Sequence, residues 1–307
     1  MSTSQNYWAQ VYKKTMARWP TVAAVCVSYV IITHDWFPLP QTVPYPYLQL
    51  ANNNKINLET TPDGWLPNTA HQQCFKKGRS LVMKNTPGQD SAEKGNYVVC
   101  NPTSNNYDVQ LPDGTNILLN AASSVKFPVS FGPQNRSVET TGEAYFKVVK
   151  NTGAPFTVTI ANGIKIVALG TSFNVSAYTG EPEKITLLEG AVKLATNKGS
   201  RLLKPGYQVV VDDKQNIQQA VLNNPRQTIA WTNDMFDFRN RDIRSAMLEL
   251  ARHYQVKVIF EGSFSNAPSS GMFSRKQPLS EILEILEKHN KIKIKQEKGQ
   301  WYVYGEQ

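Results

Sequence analysis

Two hydrophobic periodicities divide the chain. Between residues 106 and 222, apolar and polar residues alternate in short runs such as Tyr107–Gln110 and Phe156–Ile160, separated by turn sequences such as Asn162–Gly163. Alternation over four to eight residues, interrupted by Asn-Gly turns, is typical of antiparallel β-strands. The pattern predicts an all-β domain of short antiparallel strands, either sandwich-like or a folded-over sheet.

After about residue 225 the period changes. Two runs carry apolar residues three or four positions apart, as on one face of a helix: Ile243, Met247, Leu250 and Tyr254, then Leu279, Ile282, Leu283 and Leu286. Short strand-like runs surround them: Met235–Phe238, Val256–Phe260, Gly271–Ser274, Ile292–Lys295 and Trp301–Tyr304. The predicted order, βαββαββ, describes a small α+β domain over residues 229–307.

An uncharged run of 15 residues, Trp19–Thr33, lies near the N-terminus. A helix of that length spans roughly 22 Å, which is short for a bilayer core. A buried soluble helix is one interpretation. A cleaved signal peptide is another, but His34–Pro38 offers no small-x-small site. Trp19 and Trp36 bracket the run and the preceding residues are basic, which favours an uncleaved membrane helix.

The positive-inside rule orients this predicted helix, because Lys13, Lys14 and Arg18 precede it without any acidic residue. The chain is therefore predicted to consist of a cytoplasmic tail, a membrane helix, an extended or β-rich juxtamembrane segment, the β domain and the α+β domain, over residues 1–18, 19–37, 38–105, 106–222 and 229–307. Everything after about residue 38 is placed on the far side of the membrane.

Charge and cysteine content limit the partners. The formal net charge is +9, but Lys and Arg are scattered among 24 acidic residues, and no basic run of five or six residues is present. Direct binding of nucleic acid is therefore not predicted. Cys74 and Cys100 could form a disulfide outside the cytoplasm or remain two thiols, and spacing alone does not decide between these.

The sequence contains no catalytic constellation. The four histidines (His34, His71, His253 and His289) are dispersed, and His71 with Cys74 lacks the second half of a zinc site. Phosphate-binding, dinucleotide-binding and nucleophile-elbow motifs are also missing. We expect no enzyme activity, no cofactor and no metal. A carbohydrate-acting enzyme on a β-rich fold would need two facing carboxylates in a cleft, and none can be argued from the sequence.

A series of motifs occurs in order between residues 111 and 206: Leu111–Ser124, Phe127–Pro128, Gly142–Phe146, Pro155–Phe156, Leu169–Tyr178, Leu187–Val192 and Leu203–Gly206. This series resembles the FecR family of sigma-factor regulators, especially the form common in Bacteroidetes. The segments Trp231–Phe238 and Leu250–Phe260 resemble that form's C-terminal domain, which is similar to the short N-terminal domain of secretins and TonB-dependent receptors.

The resemblance implies a function. In this family a cytoplasmic domain binds an extracytoplasmic-function sigma factor, and a single helix crosses the inner membrane. The periplasmic part docks on the signalling domain of a TonB-dependent outer-membrane transporter. The chain is accordingly expected in the inner membrane, with its N-terminus in the cytoplasm and its bulk in the periplasm, as a relay that works by protein–protein binding.

Three features depart from the family pattern. The predicted cytoplasmic tail of 18 residues is shorter than a sigma-binding domain of several helices, so a periplasmic scaffold that keeps the fold without sigma-factor control is an alternative. Asp234 stands where the family usually has Gly, and His253 where it usually has Trp. We expect the first to affect a turn and the second a packing face.

The candidate partner-binding residues lie in two predicted edge strands of the α+β domain: Met235, Phe236, Asp237 and Phe238 in one, and Gly271, Met272, Phe273 and Ser274 in the other. A small mixed sheet offers an edge to which an extended segment of a partner can add. Residues 239–307 carry 12 Lys and Arg against 8 Asp and Glu, so an acidic partner is expected.

Overall fold

The computed structural model of the chain describes residues 43–66, 72–85, 95–129, 136–264, 269–290, 292–297 and 299–305. Within these ranges the first part of the chain consists of short strands, which we number in chain order: β1 Tyr47–Gln49, β2 Lys55–Asn57, β3 Gly64–Trp65, β4 Gln72–Lys77, β5 Ser80–Asn85, β6 Asn96–Asn101, β7 Tyr107–Gln110, β8 Asn116–Leu119, β9 Ser123–Pro128, β10 Arg136–Lys147, β11 Phe156–Thr159, β12 Lys165–Ala168, β13 Ser172–Ala177, β14 Glu183–Glu189, β15 Val192–Thr196, β16 Gly199–Leu203, β17 Tyr207–Val211 and β18 Ile217–Val221.

These strands form two layers. The pairings give the order β2-β1-β6-β9-β10-β11-β12-β15-β16 in the first layer and β3-β4-β5-β7-β8-β10-β13-β14-β17-β18 in the second. The strands β1 to β6, from the predicted juxtamembrane segment, are part of the same two layers. A single hydrophobic core lies between the layers, and the rings of Phe146 and Phe156 meet across it at 6.4 Å.

Strand β10 belongs to both layers. Its first half pairs with β9 and β11 in the first layer, and its second half pairs with β8 and β13 in the second. Gly142 lies where the strand changes layer and has φ 77°, a backbone conformation that other residues rarely adopt. The sequence left a sandwich and a folded-over sheet as alternatives. The structure combines them, because the sheet folds over along β10 and its two layers form a sandwich.

The sequence predicts antiparallel strands in the β domain, and the structure corrects this where β11 pairs parallel with β10 and β7 pairs parallel with β5. Residues 148–155 return the chain to the start of β10, where the buried side chain of Arg136 donates to the carbonyl of Ala154 and pairs with Asp113 at 3.0 Å. Hydrophobic alternation does not distinguish parallel from antiparallel pairing, because both place alternate side chains on one face.

The C-terminal part is a small α+β unit in the element order that the sequence predicts. A 3₁₀ segment, Pro225–Asn233, leads into it. Its elements are β19 Met235–Asp237, α1 Ile243–Tyr254, β20 Lys257–Glu261, β21 Met272–Ser274, α2 Leu279–Asn290, β22 Lys293–Glu297 and β23 Gln300–Tyr304. A two-stranded sheet, β19-β21, and a three-stranded sheet, β20-β23-β22, share one core with the two helices.

The helix boundaries follow local chemistry. Asp242 precedes α1 in an extended conformation and accepts a hydrogen bond from the amide of Ser245 at 2.8 Å, which caps the first turn. Gln255 ends α1 in the left-handed conformation, with φ 55°. The apolar stripe predicted from the sequence faces the core, since Ile243, Met247 and Leu250 are all buried.

The predicted membrane helix at residues 19–37 lies outside the described residues. Among the helices that the structure does describe, none has the length and the apolar composition needed to cross a bilayer.

Candidate functional site

The two segments predicted as partner-binding strands pair with each other. β19 and β21 form an antiparallel ribbon. The amide of Phe238 donates to the Gly271 carbonyl at 2.9 Å, and the amide of Arg275 donates to the Asp234 carbonyl at 2.9 Å. These bonds determine which backbone groups lie between the strands and which face outward, because bonded and non-bonded residue pairs alternate along an antiparallel ladder.

The outer edge of β21 is open. Gly271 and Arg275 form backbone hydrogen bonds with β19, and because bonded positions alternate, Phe273 does so as well. The backbone groups of Met272 and Ser274 therefore point away from β19. Within the described residues, the backbone amides of Met272 and Ser274 and the carbonyl of Met272 have no hydrogen-bond partner. Such an unpaired edge is where an extended segment of another protein can add as a further strand.

The outer edge of β19 is covered instead. The side-chain amide of Gln227, from the preceding 3₁₀ segment, donates to the Asp237 carbonyl at 3.3 Å and to the Arg239 carbonyl at 2.5 Å. A partner strand would have to displace this segment. The structure thus distinguishes two strands that are equivalent candidates in the sequence.

Several of the eight predicted residues belong to the domain core. Phe236, Phe238 and Phe273 are buried, and the buried carboxylate of Asp237 pairs with Arg239 at 2.5 Å. Three are half-buried: Met235, Gly271 and Ser274. The side chain of Met272 is 49% exposed. A partner at this edge would therefore meet backbone groups and one flexible apolar side chain, while the aromatic residues hold the ribbon on the core.

Arg275 follows β21 directly and reaches into the β-sandwich. Its guanidinium donates to Asn120 Oδ1 at 2.8 Å and to Glu249 Oε1 at 3.2 Å, and it lies over the Phe236 ring at 4.9 Å. The side chain is 3% exposed. A buried guanidinium that bridges two domains is costly to leave unpaired, so its position depends on both of its partners.

Glu249, on the inner face of α1, has two cationic partners. Arg241 donates to its Oε2, and Arg275 to its Oε1. Burial by itself would raise the pKa of this carboxyl, but the two guanidinium groups outweigh burial and hold the pKa below its ordinary value. Glu249 is therefore an ionised group inside the interface between the α+β unit and the sandwich.

Glu143 is the second acidic residue of this interface, and its pKa is shifted in the opposite direction from that of Glu249. The side-chain amide of Asn120 donates to its Oε2 at 2.7 Å and that of Asn174 to its Oε1 at 2.9 Å. Burial, together with the nearby charge of Glu249, raises the pKa of the Glu143 carboxyl. Asn120 thus connects the two acids, because its amide binds Glu143 while its carbonyl oxygen accepts from Arg275.

A second ion pair joins the units beside this network. Arg252, at the end of α1, donates to Glu181 of the sandwich and lies 3.9 Å over the ring of Tyr178. The Tyr178 hydroxyl donates to the Ala121 carbonyl at 2.9 Å, which fixes the ring under the guanidinium. We call the set Asn120, Glu143, Tyr178, Glu181, Arg241, Glu249, Arg252 and Arg275 the interdomain network.

This network is not predicted from the sequence, in which Glu143 is only an isolated acid and neither Arg275 nor Glu249 stands out. The sequence does contain one indication that Glu249 is buried and paired. It lies between Met247 and Leu250 on a face of α1 that is otherwise apolar. A charged residue at such a position is usually paired when buried, but the apolar pattern of the helix does not show that its partners are Arg241 and Arg275, which are 8 and 26 positions away.

The two departures from the family pattern have structural explanations. Asp234 ends the 3₁₀ segment with φ 56°, the left-handed conformation that glycine adopts without strain. His253 packs edge-on against Phe236 at 5.1 Å, and its Nε2 lies 3.0 Å from the Arg275 carbonyl oxygen. Burial and the charge of Arg275 lower the pKa of this imidazole, consistent with the expected packing role.

Cys74 and Cys100 are free thiols in different layers of the sandwich, on β4 and β6. Burial raises the pKa of the Cys74 thiol to about 12. The described residues contain no group of three or more His, Cys, Asp or Glu side chains that could hold a metal ion. His71 of the lone His–Cys pair lies outside the described residues.

Comparison with known proteins agrees with this architecture. The family model described as "FecR protein" matches residues 101–193, and the model described as "FecR, C-terminal" matches residues 235–303. The second match spans the α+β unit from β19 to β23. No curated protein is similar enough to match the chain significantly.

Two solved structures have a similar fold. Both are crystal structures of a candidate anti-sigma factor from Parabacteroides distasonis ATCC 8503, at 1.65 Å and 2.50 Å resolution. The first shares 25% identity with a TM-score of 0.63 and covers 68% of this chain and 99% of that one; the second shares 25% with a TM-score of 0.62 and covers 69% and 100%. These relationships point to a regulatory role. With both family models matched in the expected order, the chain belongs to the FecR family of sigma-factor regulators.

Proposed function

We propose that the chain is a single-pass inner-membrane sensor that regulates an extracytoplasmic-function sigma factor by protein–protein binding. Its bulk lies in the periplasm and receives a signal from the signalling domain of a TonB-dependent outer-membrane transporter. The family membership and the similarity to candidate anti-sigma factors support the regulatory part of this proposal. The apolar run Trp19–Thr33 with its basic flank supports the membrane anchor.

The observation that carries the proposal is the open edge of β21 beside a buried interdomain arginine. Met272 and Ser274 present unpaired backbone groups, and Arg275 follows immediately. A signalling domain that adds a strand at this edge would gain main-chain hydrogen bonds, with the Met272 side chain as an apolar contact. The exposed Lys276 next to the strand favours an acidic partner.

Binding at this edge can be transmitted to the rest of the chain through Arg275. Any shift of β21 changes the position of the Arg275 backbone, and the guanidinium is bound to Asn120 and Glu249 at the same time. Since buried ion pairs tolerate little displacement, a bound partner would favour a different packing of the α+β unit on the sandwich. We infer that the relay works as a change between two such packings.

A pull-down tests the proposal. The full chain, with a C-terminal tag, is recovered from solubilised membranes of its own organism, and the co-purifying proteins are identified. We expect a sigma factor together with a TonB-dependent transporter. Recovery of the transporter alone would support the sensing half and place sigma control elsewhere. Recovery of neither would contradict the proposal and favour the alternative of a periplasmic scaffold.

A further inference from the structure

The last strand of the second layer, β18, has one free edge. It pairs only with β17 among the described strands. The amide of Leu222 donates to the Gly206 carbonyl at 2.9 Å, and the amide of Asp212 donates to the Asn216 carbonyl at 3.2 Å. Because bonded positions alternate along the strand, Gln218 and Ala220 also form backbone hydrogen bonds with β17. The three residues that alternate with these bonded positions have backbone groups that point away from β17.

These three residues are Ile217, Gln219 and Val221. None of their outward amides and carbonyls has a hydrogen-bond partner in the part of the chain that the structure describes. The side chains from Gln218 to Val221 are all exposed, and that of Val221 is 63% exposed. An extended row of unpaired donors and acceptors with exposed apolar side chains is a template for strand addition.

The other three terminal strands of the sandwich are poorer templates. β2 has three residues and begins with Lys55, and β3 has only two residues. β16 contains Arg201 and is flanked by Lys198 and Lys204. Short length and cationic side chains are the usual means by which sheets avoid pairing at their edges. β18 has five residues and no charge, so it lacks this protection.

We propose that β18 pairs antiparallel with the β18 of a second copy of this chain, about a two-fold axis at Gln219. The sequence of the strand is self-complementary in that register. Ile217 lies opposite Val221 of the second copy, which pairs two β-branched side chains, and Gln219 lies opposite its own equivalent. All three outward residues then form bonded pairs, which gives about six main-chain hydrogen bonds across the axis.

The absence of charge makes β18 suited to pairing with a second copy. The chain carries a formal net charge of +9, so two copies repel each other at most approaches. A two-fold contact brings the same strand of both copies together, and β18 contains no charged residue, so no like charges of the strand face each other. One added strand buries less area than a permanent dimer does, so the association is weak and depends on concentration.

This inference does not depend on the proposed transporter relay, since β18 belongs to the sandwich and β21 to the α+β unit. Co-purification of two differently tagged copies of the full chain, coexpressed and solubilised in a mild detergent, tests it. We expect the wild-type pair to co-purify. Gln219→Lys in both copies places two ammonium groups face to face and should reduce co-purification at least tenfold, as should Gln219→Glu in both copies.

The mixed pair distinguishes self-association through β18 from a loss of folding. A Gln219→Lys copy with a Gln219→Glu copy should restore co-purification, because opposite charges then meet on the axis. Gln218→Lys is the matched control, since this residue faces Ala220 of the second copy, and it should retain most of the association. If both copies with Gln219→Lys associate like wild type, or the mixed pair stays apart, the proposal is overturned. Loss of transporter capture by Gln219→Lys with unchanged self-association would also overturn it and assign β18 to a partner's strand.

Discussion

Arg275 and Asn120 are joined across the domain interface by a hydrogen bond of 2.8 Å between the guanidinium and Asn120 Oδ1. They are 155 positions apart in sequence. Arg275 follows the open edge strand β21, and Asn120 follows β8 of the sandwich. This bond therefore connects the candidate partner-binding edge with the interior of the sandwich, and substitutions at either end of it should have measurable effects.

Arg275→Ala should destabilise the chain by about 3 kcal/mol, because it leaves Glu249 buried with one cation fewer and removes the bond to Asn120. Denaturant unfolding followed by tryptophan fluorescence measures the loss. The exposed neighbour Lys276 provides the control, and Lys276→Ala should change stability by less than about 0.5 kcal/mol. Equal effects of the two substitutions would show that the interdomain bond contributes nothing.

The two acids of the interdomain network should respond to pH in opposite directions. The folded-state pKa of Glu249 lies below its unfolded value of about 4.3. Its contribution is therefore present above that value and is lost as pH falls through the folded pKa. The folded-state pKa of Glu143 is raised, so its ionisation costs stability as pH rises from the unfolded value through the folded pKa.

Unfolding of Glu249→Gln and Glu143→Gln between about pH 3 and about pH 8 checks these signs. Relative to wild type, Glu249→Gln should become more destabilising as the pH rises to about 5, and its effect should then level off. Glu143→Gln should become more favourable as the pH rises above the unfolded value of about 4.3. If the two variants show parallel pH profiles, the assignment of a lowered pKa to Glu249 and a raised pKa to Glu143 is wrong.

Met272→Pro should weaken capture of the transporter signalling domain at least tenfold, because proline removes the outward amide at the β21 edge. Met272→Ala keeps that amide and is the matched control, so it should reduce affinity several-fold at most. Binding of the purified signalling domain to the full chain, measured by calorimetry, separates the two. Unchanged affinity of Met272→Pro would remove β21 from the binding site.

Gly142→Ala should prevent folding or cost more than about 3 kcal/mol. Gly142 has φ 77°, and a Cβ there would lie 2.4 Å from Ser123 Oγ and 2.6 Å from the Ala122 carbonyl oxygen. Gly78 also has positive φ, at 54°, but a Cβ there meets nothing within 4 Å. Gly78→Ala should therefore cost only about 1 kcal/mol. Similar melting temperatures for the two variants would contradict a crowded layer change at Gly142.

Cys74 should resist alkylation in the folded chain at pH 8, because it is buried and its pKa is raised to about 12. Modification should become fast only in denaturant. Since Cys74 and Cys100 are free thiols, a reducing agent should leave the melting temperature unchanged. A fall in melting temperature on reduction would indicate a disulfide between them.

The order of elements could be predicted from the sequence alone. The switch from alternation to helical spacing near residue 225 reflects the geometry of strands and helices, which holds wherever one face is buried. The positions of α1 and α2, and the short strands around them, agree with that prediction because local periodicity, caps and turns specify them. Asp234 occupies a turn where the family usually has Gly, and its short polar side chain tolerates the left-handed backbone conformation found there.

Tertiary structure alone decided which backbone and side-chain groups meet. The sequence made Met235–Phe238 and Gly271–Ser274 equivalent candidates. In the structure the two strands pair with each other, Gln227 covers the outer edge of β19, and the outer edge of β21 stays open. In the same way, Glu143, Glu249 and Arg275 are separate polar residues in sequence. They form one network because the α+β unit packs on the sandwich, and the side-chain periodicity of one element carries no information about which residues of other elements it meets.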